Sequence, residues 1–325
     1  MGLLDLLFGR RNSRDSTGLT VTPQGDSFED RFLTLNKPHW FGECSRSPNR
    51  RWVISWRRGE ADVLNEAKAG SRPDGRYLLY EATTQRVVLR GGLFHPTAGA
   101  VADNGAFVLG EINALSALQS TLHACSAKGD KLLLHKIHAL ILTTAISKSG
   151  RYAICTTGNS KHEDGGSLFL FDLLAGKQVF ITEPEAWSTD YYIDEDRIEV
   201  VANVRGLGAF RYDRNGQFID RALLEQAILQ RGDYSSTITT AERILQHSEP
   251  SIERVRETLA AVLRARKHGA DQDSGWKAAA LKVQGMAYEA LSEIPNAIAA
   301  YEQALAINPK IGVKRRLASL QKRNN

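Results

Sequence analysis

Between residues 40 and 218 the apolar positions come in short runs such as "RWVISW", "RYLLYEA", "AFVLGEI", "RYAICTTG", "SLFLFDL" and "RIEVVANV". These runs are rich in β-branched and aromatic residues and are separated by Gly, Asn, Asp, Ser or Pro clusters, the pattern of strands joined by tight turns. Helices of useful length do not fit there. From Asp220 onward the apolar spacing lengthens to three and four residues, and "RALLEQAILQRG", "TITTAERILQHS", "IERVRETLAAVLRARKHG", "WKAAALKVQGMAYEALS", "NAIAAYEQALAIN" and "GVKRRLASLQKR" read as six helices. The pattern divides the 325 residues into an N-terminal segment and tether over 1–24, a strand-rich domain over 25–219 and a helical domain over 220–325.

The turns recur. Pro48-Asn49, Asp103-Asn104-Gly105, Lys148-Ser149-Gly150 and Asp194-Glu195-Asp196 each follow one strand and introduce another, at intervals of 55, 45 and 46 residues. A period near 45 suits a blade of four antiparallel strands. The fullest copy, "ALILTTAISKSGRYAICTTGNSKHEDGGSLFLFDLLAGKQVFIT", resembles the WD-repeat-like β-propeller blade, with Phe171-Asp172 where that family carries Trp-Asp. The expected fold class is therefore multidomain β + α, with about four propeller-like blades followed by an all-α array. Four blades leave the closure of the ring open. The ring is small, or strands from "TGLTVTPQ" and "RFLTLN" extend it, or a second copy completes it in a homo-oligomer. A β-sandwich is the structural rival, and the regular interval favours blades.

In "LKVQGMAYEALSEIPNAIAAYEQALAINP" the spacing of Gly285, Tyr288, Ala297, Tyr301, Ala304 and Pro309 resembles the tetratricopeptide repeat, known as TPR, across one helical hairpin. Gly285 and Ala297 are small where two helices would touch, and Pro309 ends the second helix. Gln284 departs from the family, which prefers an apolar residue there. The resemblance implies a concave groove for partner proteins, to which Lys282, Met286 and Glu289 would contribute. The last helix, with Val313, Leu317 and Leu320 on one face, is expected to cap the array.

Composition narrows the chemistry. Hydrophobic residues make up 42% and charged residues 24%, as in a globular protein. Cys44, Cys125 and Cys155 are scattered without metal-ligand spacing and read as reduced thiols. The net charge of +5 is modest; the basic C-terminal run lacks aromatics that would stack on bases, which counts against nucleic acid. "NSKHEDGG" reads as a solvated turn, and His135 and His138, three apart at a strand end, are expected to point to opposite faces. Gly206 to Gly208 precedes a strand, so no helix N-terminus would meet a phosphate. No GxSxG, HExxH or Walker loop is present, so no metal and no cofactor are implied.

The chain begins "MGLLDLLFGRR". As a helix it would gather Leu3, Leu4, Leu6, Leu7 and Phe8 on one arc, followed by Arg10 and Arg11. The stretch resembles the N-terminal membrane-targeting segment of the bacterial division-site regulator MinE. That resemblance implies peripheral contact with an anionic membrane from the cytoplasmic side; packing on the protein's own core or docking into a partner are the alternatives. The expected function is a non-enzymatic adaptor or scaffold in the cytoplasm that binds protein partners, with a propeller-based enzyme or a nucleic-acid-binding protein as the rival classes.

Overall fold

The computed structural model describes residues 27–29, 31–59, 75–114, 117–188, 190–247 and 249–324. The membrane-contact expectation on Leu3, Leu4, Leu6, Leu7, Phe8, Arg10 and Arg11, and the stretch "TGLTVTPQ", lie outside them.

The strand-rich part forms four consecutive antiparallel sheets. The first contains β1 (Ser27–Glu29), β2 (Phe32–Leu35), β3 (Trp40–Arg46), β4 (Trp52–Arg57), β5 (Gly75–Glu81) and β6 (Arg86–Leu93) in sequential order. The second runs through β7 (Pro96–Val101), β8 (Phe107–Ala114), β9 (Gln119–Cys125) and β10 (Lys131–Ile137). The third has β11 (Ile141–Ile146), β12 (Tyr152–Thr157), β13 (Leu168–Asp172) and β14 (Lys177–Thr182), and the fourth β15 (Tyr191–Asp194), β16 (Glu199–Val204) and β17 (Gly208–Tyr212). Neighbouring sheets meet through β3 and β4 on β7, β7 and β8 on β11, and β11 on β15, which is the blade-on-blade arrangement of a propeller.

Sandwiching between neighbours explains the unbroken apolar runs. In the third sheet Tyr152, Ile154, Leu168 and Leu170 join a buried cluster with the fourth sheet, while Ala153, Cys155, Phe169 and Phe171 join one with the second. A strand buried on both faces loses the alternation of a half-buried one. Asp172 occupies the WD-like position and does local work. Burial raises its pKa, but the Ala175 amide, the Arg151 guanidinium and the Leu174 amide together hold it below the usual aspartate range and fix the turn into β14.

The recurring turns stitch these seams. The Asn49 amide donates to the Asp103 carboxylate at 2.7 Å, the Asn104 side chain donates to the Ser149 carbonyl at 2.6 Å, and the Ser149 amide donates to the Glu195 carboxylate at 2.7 Å. Each turn needs a left-handed residue, supplied by Gly105 (φ 83°) and Gly150 (φ 82°) in the second and third blades and by Arg50 (φ 60°) in the first. Outer strands share another device: register shifts leave Val88, Leu132 and Val179 unpaired as bulges in β6, β10 and β14. Bulges of this kind bend an exposed edge away from chance pairing.

The segment "RFLTLN" builds no blade of its own. It supplies β2, which pairs with β3 on the side away from β4 and carries Leu33 and Leu35 into a buried cluster with Trp40, Val53, Leu78 and Tyr80. At the other end, strand gives way to helix. Asp220, 5% exposed, accepts from the Arg211 backbone amide and, through both oxygens, from its guanidinium, each at 2.9 Å. Leu224 and Ala227 of the first helix then complete the core between the third and fourth sheets.

The helices are α1 (Arg221–Arg231), α2 (Tyr234–His247), α3 (Ile252–Lys267), α4 (Ser274–Ala290), α5 (Ile294–Ile307) and α6 (Lys314–Asn324). They stack in sequence, and α4 and α5 make the closest pair. A Cβ placed on Gly285 would lie 2.5 Å from the Tyr301 ring, so glycine is required for that approach. Gln284, the polar departure in the hairpin, accepts at 2.7 Å from Arg266 of α3 and ties one hairpin to the previous one. Val313, just before α6, and Leu317 and Leu320 within it close the array over α4 and α5.

Candidate interaction surface

The stitched turns occupy one end of the blades, and the clefts occupy the opposite end. One, about 1000 Å³, opens between the outer strands β10 and β14 and the loop from β12 to β13. A second, about 620 Å³, lies between the inner strand β11 and the turn from β16 to β17. The two meet at Trp187, which lines both. A third, about 340 Å³, adjoins the first through Lys136 and His138.

The walls are held by hydrogen bonds within the chain. The Ala186 amide donates to the Tyr212 hydroxyl at 2.9 Å and the Ser188 amide to the Tyr191 hydroxyl at 3.2 Å. Trp187 therefore rides on a backbone pinned on both sides, with its side chain left half-exposed. In the loop between β12 and β13, Asp164 accepts from the His138 amide at 2.7 Å and from its Nδ1 at 3.2 Å, while the Thr157 hydroxyl donates to the Asp164 carbonyl at 2.5 Å. Glu163 and Glu183 stand exposed on the rim.

His135 and His138 line the same cleft, contrary to the expectation of opposite faces. The strand ends at Ile137, so the chain turns before His138 and the alternation no longer applies. His135 packs 4.9 Å from Phe171, and burial holds its pKa below the usual histidine range against the charge of Asp164. His138 and His162 rings lie 5.1 Å apart. Among the described residues no group of His, Cys, Asp or Glu is placed to hold a metal ion. The loop "NSKHEDGG" is a turn whose Asp164 serves the backbone.

The helical positions behave differently from a free groove. Met286 is 3% exposed and packs with Ala297, Tyr301, Val313, Leu317 and Leu320, because α6 covers the face on which the apolar spacing puts it. It belongs to the interior and offers nothing to a partner. Lys282 pairs with Glu242 of α2 at 2.5 Å, and Glu289 accepts from Arg316 of α6 at 2.7 Å and from the Tyr301 hydroxyl at 3.0 Å. These two half-buried side chains join neighbouring helices. Sequence reasoning missed the cleft around Trp187 altogether; the one local signal was an isolated tryptophan in the polar connection "EPEAWSTDY".

No helix of the described residues is long and apolar enough to cross a membrane. No family model matches the chain, and no curated protein matches it. Solved structures resemble it over part of its length. Hydrazine synthase of Kuenenia stuttgartiensis is 15% identical with a TM-score of 0.33, the likeness covering 52% of this chain and 45% of that one. BamB from Moraxella catarrhalis is 14% identical with a TM-score of 0.36, over 55% and 47% of the two chains. The complex of KlAtg21 with the coiled coil of AgAtg16 gives 9% identity and a TM-score of 0.37, over 56% and 59%. The likenesses thus span about half the length of the first two of these proteins. What the chain is similar to is a set of distant part-length structures, and its architecture is four propeller-like sheets followed by helices.

Proposed function

We propose that this chain is a non-enzymatic adaptor that holds other proteins on its propeller-like and helical surfaces. The observation that carries the reading is Trp187, an indole 46% exposed at the meeting point of two clefts on a pinned backbone. An exposed indole is unfavourable in water until something covers it, and tryptophan is the side chain most often found at the energetic centre of a protein interface. The rigid loop keeps the entropy cost of docking low.

The helical array is the second arm of the adaptor. Its closing hairpin is similar to a tetratricopeptide repeat in the positions of Gly285, Tyr288, Ala297, Tyr301, Ala304 and Pro309, and a partner would meet Lys282 and Glu289 only by competing with Glu242 and Arg316. The N-terminal "MGLLDLLFGRR" serves as a weak peripheral anchor on the cytoplasmic face of an anionic membrane. Its support is the grouping of five large apolar side chains ahead of Arg10 and Arg11.

The test is quantitative affinity purification of the full chain and of its Trp187→Ala variant from the same cells. Loss of specific partners from the variant, at unchanged melting temperature, is expected. An identical partner set would overturn the reading. For the anchor, Leu4→Glu with Leu7→Glu should abolish binding to anionic liposomes, and unchanged liposome binding would refute it.

A further inference from the structure

We infer that the cleft between the second and third blades takes an extended basic peptide, in which lysine or arginine alternates with apolar residues. The inference rests on the adaptor reading and names the chemistry of one partner segment. The cleft follows β14 from Gln178 to Glu183 and ends at Trp187. Those six positions span roughly 17 Å of extended chain, the length of a short linear motif.

Three features select the occupant. The outward edge of β14 pairs with no strand among the described residues, and beyond the bulge at Val179 its register is regular from Phe180 to Thr182. A regular open edge presents backbone donors and acceptors to an extended chain. Along the same wall Ile181 is 38% and Trp187 46% exposed, which gives two apolar contacts at the far end. Charge then sets the sign: the carboxylates of Glu163, Asp164 and Glu183 line the cleft against the single ammonium of Lys136. Asp164 is already engaged with His138, whereas Glu163 and Glu183 point their charge into solvent at the rim, where it steers a cationic segment and rejects an acidic one.

The probe is a fluorescein-labelled peptide alternating leucine or valine with lysine, titrated into the full-length protein and followed by anisotropy. The lysine peptide should bind, its glutamate counterpart should not, and added salt should weaken the complex. Glu163→Lys with Glu183→Lys should weaken binding by about tenfold or more, and Trp187→Ala by a similar factor, with melting temperatures unchanged since all three side chains are exposed. Methylating alternate backbone amides of the peptide should weaken it as well. Equal binding of the two peptides, indifference to the charge reversal or indifference to backbone methylation would overturn the inference. The two readings fail separately: if Trp187→Ala strips cellular partners while the lysine peptide does not bind, the surface stands and its preference for a basic peptide is wrong.

Discussion

Replacing Gly150 with alanine tests whether the recurring turns hold the blades together. Gly150 sits at φ 82°, and a Cβ there would lie 2.7 Å from Oδ1 and 2.8 Å from Nδ2 of Asn104, whose amide donates to the Ser149 carbonyl in the next blade. The left-handed backbone costs an alanine about 1–2 kcal/mol. Displacing the Asn104 amide forfeits a hydrogen bond of about 1 kcal/mol. Together they predict a loss of about 2–3 kcal/mol, or a fall in melting temperature of roughly 5–10 °C for a domain of this size. Tryptophan fluorescence during urea unfolding would measure it. Adding Asn104→Ala to Gly150→Ala should then cost less than Asn104→Ala alone, since the bond to Ser149 is already gone and only the one from the Ala106 amide to Oδ1 remains to be lost. The first blade supplies the opposite change: Arg50 is exposed at φ 60°, so Arg50→Gly should stabilise by about 1 kcal/mol. A neutral Gly150→Ala, or fully additive effects with Asn104→Ala, would refute the stitched-seam account.

Gly285→Ala should destabilise the helical array by about 1–2 kcal/mol, because overpacking against Tyr301 outweighs the better helix propensity of alanine; thermal melting followed at the helical circular-dichroism band checks it. Glu111 is 5% exposed; burial raises its pKa, but hydrogen bonds from His123, the Phe94 amide and Asn113 outweigh that and hold it below the usual glutamate range. Its contribution is therefore present at neutral pH and lost as pH falls through the depressed value. Glu111→Gln should cost about 1–3 kcal/mol at neutral pH and flatten the acid limb of the stability profile, measured by denaturant titration at each pH. Asp220→Asn should loosen the strand-to-helix junction held by Arg211, with proteolytic cleavage between Asp213 and Asp220 rising severalfold at unchanged helix content.

The blades were legible because their strands are buried on both faces, which leaves unbroken apolar runs, and because each seam needs a polar turn at the same place in every blade. "YAIC" and "LFLF" carry the first signal, Asn49, Asn104, Ser149 and Glu195 the second. The role of "RFLTLN" was not readable, since a four-residue strand pairs equally well inside a blade or beside one. The cleft was hidden for a different reason. It gathers His135, Glu163, Gln178 and Trp187 from four separate segments, and no spacing along the chain records that proximity. On α4 the apolar period located the right face but not its cover, and only the placement of α6 puts Met286 inside. Gln284 read as a flaw in the hairpin until its partner Arg266, eighteen residues earlier, came into contact with it.

The direction of the stitching has a consequence for where the row of blades stops. At every seam the earlier turn donates and the later one accepts, from Asn49 to Asp103, from Asn104 to Ser149 and from Ser149 to Glu195. Joints with a giving end and a receiving end set a polarity along the row of blades, each turn committed to the blade that follows it. The fourth turn receives at the Glu195 carboxylate, and no fifth sheet follows it among the described residues, so the series stops where strand gives way to helix.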